Sequence, residues 1–310
     1  MYDVRIGRIN ELATDIYAMT LEPCDGRDAP EITPGMHVNL RMPSGIERSY
    51  SLVNAPKMRK HLEIAVKLEA DGRGGSRELC SLPTGTQLTV VEQTNDFALD
   101  ENDETHVLIA AGIGITPLWS MIQYAESADR AWVLHYCAKS RSTAAYLDEL
   151  EKLEAQRPGR VHLYFSDEDK RLDMAAVVAG LGPSDGAYCC GPERITAAFS
   201  GYADGLGDRA HVEDFSVAEV AAGGFVVMLA RSEIEIQVPE DSTILDAVLA
   251  AGVDPDYSCM SGTCGSCEVA VLEGEPDHQD FVLTDEEKEV GDRMMICCSG
   301  CRGNRLVIDL

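Results

Sequence analysis

From Met1 to about Asp100, apolar and polar residues alternate over short runs separated by turn signals. Arg5–Asn10, Ile16–Glu22, His37–Met42, His61–Lys67 and Gln87–Val91 follow the period of two that one buried face imposes on a strand. Short strands punctuated by Pro-Gly and Pro-Ser-Gly turns predict an antiparallel β-barrel over residues 1–101. From about Glu104 the period changes. Apolar strands at Thr105–Ala111, Ala131–Tyr136, Val161–Phe165 and Gly186–Cys190 alternate with helical stretches at Leu118–Ala125, Tyr146–Leu153 and near Met174, which predicts a parallel-sheet α/β domain over 102–215. An Ala- and Gly-rich linker at 216–224 follows. Paired strands at Phe225–Leu229 and Glu233–Val238, then a helix from Thr243 stopped at Gly252, predict a compact sheet-and-helix domain over 225–310. The run Asp285-Glu-Glu-Lys-Glu289 reads as a solvated helix face.

That last domain carries the most specific chemistry of the chain, in Cys259-Met-Ser-Gly-Thr-Cys264-Gly-Ser-Cys267 and a further cysteine group about thirty residues on. Three cysteines spaced C-x4-C-x2-C with a distant fourth form the plant-type [2Fe-2S] ligand pattern. Gly262 and Gly265 leave room for backbone to wrap inorganic sulfide and aim amides at it. On spacing alone the fourth ligand is Cys297, Cys298 or Cys301. A zinc site is the alternative, since Cys264-x2-Cys267 and Cys298-x2-Cys301 pair as in zinc ribbons, but it leaves Cys259 and the small-residue loop unused.

Composition changes the picture in two ways. Eleven cysteines and no signal-peptide pattern suit metal or redox chemistry in a reducing compartment, so the expected location is the cytoplasm. No apolar run reaches membrane-spanning length, and no membrane association is expected. The formal charge of −27 argues against nucleic acid as a partner. From Ser216 to Leu310 there are 19 Asp and Glu against 5 Lys and Arg, either an acidic face that steers a basic partner protein or a solubilising surface.

Two polar clusters interrupt the barrel pattern. In Gly72-Arg73-Gly-Gly75-Ser76-Arg77, open backbone amides beside Arg73 and Ser76 suit a phosphate if a helix begins at Ser76. In Arg48-Ser-Tyr50-Ser51 the Tyr50 ring and the hydroxyls suit a planar cofactor, though an ordinary strand would carry the same residues. The strand ending at Ala111 runs into Gly112-Ile-Gly114-Ile-Thr116-Pro117 and a helix, the arrangement of a pyrophosphate cradle without the full G-x-G-x-x-G spacing. Cys190-Gly191-Pro192 ends another strand, and strand C-termini in such sheets face the ligand crevice. Cys189, one residue earlier, reads as a buried strand residue.

Taken in this order, these motifs resemble the phthalate dioxygenase reductase family end to end, with the ferredoxin part at the C-terminus. The resemblance implies an antiparallel flavin-binding β-barrel, a parallel-sheet NAD(P)-binding domain and a C-terminal β-grasp ferredoxin-like domain. It implies that Arg48, Arg73 and Ser76, with Gly75, hold the flavin phosphate and that Tyr50 and Ser51 contact the isoalloxazine. Gly112, Gly114, Thr116, Pro117, Cys190, Gly191 and Pro192 would take the nicotinamide dinucleotide, and Glu213 and Phe215 would pack by the flavin ring. Ser51, Thr116, Cys190 and Glu213 are the residues it places at the hydride-transfer site, and Cys297 joins Cys259, Cys264 and Cys267 as the fourth ligand. FMN is implied over FAD, and NADH over NADPH. Ser140-Arg141 suits a 2′-phosphate, whereas Ser166-Asp167-Glu168-Asp169 repels one. The expected activity is electron transfer from NADH through FMN and a [2Fe-2S] cluster to a Rieske-type terminal oxygenase or demethylase, by a protein that is a monomer in isolation. The rival expectations are a ferredoxin-type carrier on a flavin-binding scaffold and a reductase for another acceptor.

Overall fold

The computed structural model describes residues 1–55, 57–69, 74–215, 221, 223–240 and 242–310. They fall into two compact units, one of 1–43 with 50–215 and one of 44–49 with 216–310.

The barrel strands are β1 (Tyr2–Ala13), β2 (Ile16–Pro23), β3 (His37–Arg41), β4 (Glu47–Ser51), β5 (Leu62–Lys67) and β6 (Gln87–Thr94), with the short helix α1 (Gly75–Ser81) between the last two. Their order is β4-β3-β6-β1-β2-β5. An antiparallel bridge from Leu52, just past β4, to Ile64 of β5 brings the two edge strands together, and Val53 N donates to Glu63 O at 2.9 Å. Alternation buries Val4, Ile6, Leu21, Leu40, Leu88 and Val90 on the inner face, as the period of two requires. The polar cluster Arg48-Ser-Tyr50-Ser51 lies within a strand.

The second sheet contains β7 (Thr105–Ala111), β8 (Ala131–Ala138), β9 (Val161–Phe165), β10 (Gly186–Gly191) and β11 (Ala210–Asp214), interleaved with α2 (Ile115–Ser127), α3 (Leu147–Gln156), α4 (Met174–Ala179) and α5 (Glu193–Ala203). It is parallel throughout, in the order β11-β10-β7-β8-β9. Leu108, Leu134 and Tyr188 pack with Leu118, Met121 and Ile122 of α2, while Ile109 and Cys189 pack with Phe199 of α5 and Met174 of α4. Burial of both faces explains why β7 reads as an unbroken apolar run. The fifth strand, β11, is not evident in the sequence: Ala210-His-Val-Glu-Asp214 has no apolar repeat, and as an edge strand it has only one neighbour to satisfy.

The second unit contains β12 (Val226–Leu229), β13 (Ile234–Gln237), α6 (Ile244–Ala250), β14 (Glu268–Glu273), β15 (Pro276–Asp277), α7 (Asp285–Val290), β16 (Arg293–Met295), β17 (Gly300–Cys301) and β18 (Arg305–Ile308). The five-stranded sheet β13-β12-β18-β14-β16 packs Val227, Leu229, Leu306 and Ile308 against Leu245 and Val248 of α6, and β15 pairs separately with β17. Capping boxes start both helices. Thr243 Oγ1 accepts from Asp246 N at 2.9 Å in α6, and Thr284 Oγ1 accepts from Glu287 N at 3.3 Å in α7. Among the described residues no helix is long and apolar enough to cross a membrane.

Candidate functional site

In the parallel sheet the strand order reverses between β7 and β10, and ligands of such sheets bind outside the strand ends at that point. The chain leaves β7 through a turn, Gly112–Gly114, that leads straight into α2. Gly112 has φ 56°, a left-handed conformation that favours glycine. Gly114 is needed for space: a Cβ there would lie 2.3 Å from Cys190 O and 2.8 Å from Gly191 N. The two strand ends are thus pressed together backbone to backbone, and a cleft of about 340 Å³ opens above them.

The cleft is lined by Gly112, Ile113, Gly191 and Pro192 at the switch point and by Cys137 and Lys139 at the end of β8. Ser166 follows β9, Arg194 opens α5, Lys67 and Glu69 come from the end of β5, and Phe215 closes one side. Lys139 and Arg194, with Lys67 ion-paired to Glu69 at 2.5 Å, give the cleft a net positive lining in a chain of net charge −27, which suits a polyanion. Arg141 is turned elsewhere, ion-paired with Glu151 and set over the Phe165 ring at 5.4 Å.

Thr116 and Pro117 are buried in the first turn of α2, where Thr116 Oγ1 donates to Ile113 O at 2.9 Å and stiffens the turn. Cys190 is fully buried, with its Sγ 3.8 Å from Glu213 Oε2. Burial pushes this thiol well up, and the Glu213 carboxylate pushes it further, so it stays a neutral S–H donor. Cys189, also fully buried, is a packing residue as expected. Phe215 N donates to Gly191 O at 3.1 Å, which holds the aromatic ring at the cleft. Cys137 is pushed up to about 11 by burial and is a thiol at neutral pH.

Ser51 is buried and Tyr50 half-buried at the end of β4. The helix expected at Ser76 begins at Gly75, preceded by Gly74 at φ 83°, and its first amides have no intrahelical acceptor. Ser76 Oγ accepts from Glu69 N at 3.1 Å, joining this turn to a residue of the cleft wall. Gly72 and Arg73 lie outside the described residues. Arg48 groups with the second unit, where its Nη1 lies 3.6 Å from Asp246 Oδ1 and donates to Glu47 O at 2.6 Å. Glu47 accepts from the Tyr257 hydroxyl, and Ser49 Oγ donates to Ser258 O at 3.2 Å.

The cysteine loop is wound by three left-handed residues, Met260 (φ 53°), Gly262 (φ 80°) and Gly265 (φ 82°). The thiols are arranged in pairs. Cys264 donates to Cys259, which holds the Cys259 thiol down to about 3, and Cys297 donates to Cys267, which lowers the Cys267 thiol as well. Ser261 N and Thr263 Oγ1 each lie 3.4 Å from Cys259 Sγ, the donor shell a cluster thiolate needs. Among the described residues no three His, Cys, Asp or Glu side chains converge on one point as a mononuclear metal would require. A [2Fe-2S] centre takes two thiolates at each iron, a donor set that Cys259, Cys264, Cys267 and Cys297 would supply. Cys298 Sγ is directed to Met295 O at 3.7 Å, and Cys301 lies in β17 and accepts from Gly303 N at 3.2 Å.

The sequence reading missed Lys67, Glu69, Cys137, Lys139 and Arg194. Lys139 and Cys137 could have been found by taking the residues at the end of every predicted parallel strand. Lys67 and Glu69 could not, because only the tertiary fold carries the end of β5 to that cleft.

Two family models match the chain: a 2Fe-2S iron-sulfur cluster binding domain over residues 227–302 and an oxidoreductase NAD-binding domain over residues 108–200. The chain is 43% identical to tetrachlorobenzoquinone reductase of Sphingobium chlorophenolicum, over 99% of this chain and 98% of that one. It is 49% identical to phenoxybenzoate dioxygenase subunit beta of Ectopseudomonas oleovorans, over 89% and 87%. Among solved structures, phthalate dioxygenase reductase, described as a modular structure for electron transfer from pyridine nucleotides to [2Fe-2S], superposes with a TM-score of 0.91 at 32% identity, covering 99% of this chain and 97% of that one.

Proposed function

The chain belongs to the phthalate dioxygenase reductase family, and from that premise we propose that it takes hydride from NADH in the switch-point cleft and delivers single electrons to a Rieske-type terminal oxygenase or demethylase. It is an NAD-binding oxidoreductase with a flavin and a [2Fe-2S] centre. The flavin, when bound, accepts the hydride pair and releases it one electron at a time, which neither nicotinamide nor cluster does alone.

The protein's own part is to place and insulate these groups. In our assignment Lys67, Lys139 and Arg194 attract the dinucleotide phosphates, the glycines of the Gly112–Gly114 turn and Gly191 admit them, and Thr116 and Pro117 fix the turn. Tyr50 and Ser51 would contact the isoalloxazine, with Phe215 packed by its ring. Ser76 and Gly75 would take its phosphate, with Arg48 and Arg73 as the further candidates the resemblance implies. FMN is preferred to FAD. Glu213 and Cys190, in contact at the switch point, are assigned to the nicotinamide side of the site. Cys259, Cys264, Cys267 and Cys297 would hold the two irons of the centre. We divide the chain functionally at 1–101, 102–215 and 225–310, with 216–224 as linker; of that linker, 216–220 and 222 lie outside the described residues. A cytoplasmic monomer completes this reading.

The match of residues 227–302, which contain all four proposed cysteine ligands, to a 2Fe-2S cluster binding domain is the observation that carries the proposal. The test is the visible spectrum with flavin extraction and iron and acid-labile sulfide analysis. FMN with equal iron and sulfide is expected; zinc without sulfide would overturn the proposal.

The partner's docking face is assigned to the stretch between the third and fourth cysteines. Residues 268–292 contain ten Asp and Glu against one Lys. Phe281 and Val282 are exposed within it. An apolar pair set in acidic surroundings suits an oxygenase with a basic rim. The 43% identity to tetrachlorobenzoquinone reductase supports a second reading, in which a quinone is the acceptor. Turnover of a quinone that is insensitive to salt, with no stimulation of an oxygenase, would favour that second reading.

A further inference from the structure

We propose that Asp280 is a positioning residue for the iron–sulfur centre, holding the segment of Cys297 against the loop of Cys259, Cys264 and Cys267 and lowering the potential of the centre by its buried charge. This rests on the four-thiolate reading above.

The Asp280 side chain has no exposed surface. A carboxylate in that position is retained only if its oxygens are satisfied, and they are. Oδ2 accepts from Val282 N at 3.1 Å and Leu283 N at 2.8 Å, and Oδ1 accepts from Ser299 Oγ at 3.5 Å. The first two bonds fold residues 280–283 into a tight turn, the usual work of an Asp side chain bonding to backbone just ahead of it. The third reaches a different segment, because Ser299 lies two residues beyond Cys297.

That turn meets the cysteine loop directly. Phe281 N donates to Gly262 O at 3.0 Å, and Val282 packs over Gly265, where an added Cβ would lie 3.4 Å from Cγ1. Gly262 and Gly265 are the left-handed positions that wind the loop. One side chain is therefore bonded, through one backbone step in each direction, to the loop that supplies three of the thiols and to the segment that supplies the fourth. Flanking bonds reinforce it. Gln279 N donates to Ser299 Oγ at 3.3 Å, Lys288 Nζ donates to Asp280 O at 2.5 Å, and β15 pairs with β17 through Asp277 and Gly300.

A turn-forming Asp on a surface loop would need none of this burial. His278 Nδ1 lies 3.6 Å from Asp280 Oδ1 and is itself buried. Burial holds the His278 imidazole below its ordinary range, so the ring adds no positive charge beside Asp280 at neutral pH, and the cation bonded to this residue is Lys288, at its backbone carbonyl. Reduction adds one negative charge to the centre. A fixed carboxylate one hydrogen bond from Ser299, whose Oγ is 3.8 Å from Cys298 Sγ, opposes that and keeps the centre a stronger reductant.

The test uses the purified holoprotein with Asp280→Asn, which keeps the shape, and Ser299→Ala, which removes the tie between Asp280 and the Cys297 segment together with the Gln279 N bond to the same hydroxyl. Three quantities are measured: iron and acid-labile sulfide per chain, the rate of bleaching under EDTA, and the midpoint potential of the centre by anaerobic dye titration. Both variants should bleach faster, by roughly tenfold, and Asp280→Asn should move the midpoint to a more positive value while keeping its flavin. A wild-type bleaching rate in Ser299→Ala, or an unmoved midpoint in a loaded Asp280→Asn, overturns the proposal. If Asp280→Asn is isolated without a cluster, the Ser299→Ala bleaching rate decides. Wild-type protein free of iron and sulfide would instead overturn the four-thiolate reading itself.

Discussion

Alanine at Gly114 should damage NADH use far more than alanine at Gly112, although Gly112 has the unusual backbone. Gly114 has φ −60°, which any residue adopts, so the penalty of a side chain there is purely one of space. The new Cβ would lie 2.3 Å from Cys190 O, about 1 Å short of ordinary contact, and the obstructing atoms are backbone of the neighbouring strand end. Nothing nearby rotates away, so α2 and the end of β10 must separate by about that distance. Overpacking of this kind costs about 1–3 kcal/mol of stability, and a 1 Å displacement of a positioning element costs on the order of a hundredfold in rate. At Gly112 a Cβ meets nothing within 4 Å, and the cost is the left-handed conformation alone, about 1–2 kcal/mol. Anaerobic rapid mixing with NADH, following flavin bleaching, should give Gly114→Ala a limiting rate or NADH saturation impaired by on the order of a hundredfold. Gly112→Ala should stay within about tenfold of wild type. A Gly114→Ala protein that saturates and reduces like wild type, or a Gly112→Ala protein that is the worse of the two, would refute the reasoning about the switch point.

Three further outcomes are expected. Cys264→Ala should abolish the iron and sulfide content while leaving flavin reduction by NADH in place, whereas Cys298→Ala should retain both metals and sulfide; loss in the second variant would reassign the fourth ligand. Electron delivery to the oxygenase should slow as ionic strength rises from 0.01 to about 0.15 M, where the Debye length shrinks to roughly 8 Å, and a flat salt profile would remove the acidic docking face. The third concerns pH. Burial, with the His162 ring stacked 4.9 Å away, holds the His135 imidazole down to about 4 against an ordinary 6.5. The unfolded chain takes up this proton below pH 6.5 and the folded protein does so only near 4, so His135 contributes to a loss of stability as pH falls through that window. Thermal unfolding from pH 7 to 4 should be less steep in His135→Gln; equal slopes would exclude this group as the cause.

The sequence by itself determined what depends on local spacing. Alternation in residues 1–101 and continuous apolar strands after Thr105 specify the two kinds of sheet because side-chain burial repeats with the backbone period. The C-x4-C-x2-C loop names its own cofactor, since three ligands and the glycines that wind them lie within nine residues. Tertiary structure decided whatever depends on distant segments meeting. Lys67 and Glu69 reach the dinucleotide cleft only because β5 ends beside it. Cys297, 30 residues from Cys267 in the chain, is brought against it by the fold, and our proposal of Cys297 as the fourth ligand leans on that contact. Asp280, unremarked in an acid-rich stretch, becomes a buried link between two cysteine segments. Spacing along the chain fixes periodicity and loop chemistry, whereas burial and contact across 20 or more residues arise only when the chain has closed on itself.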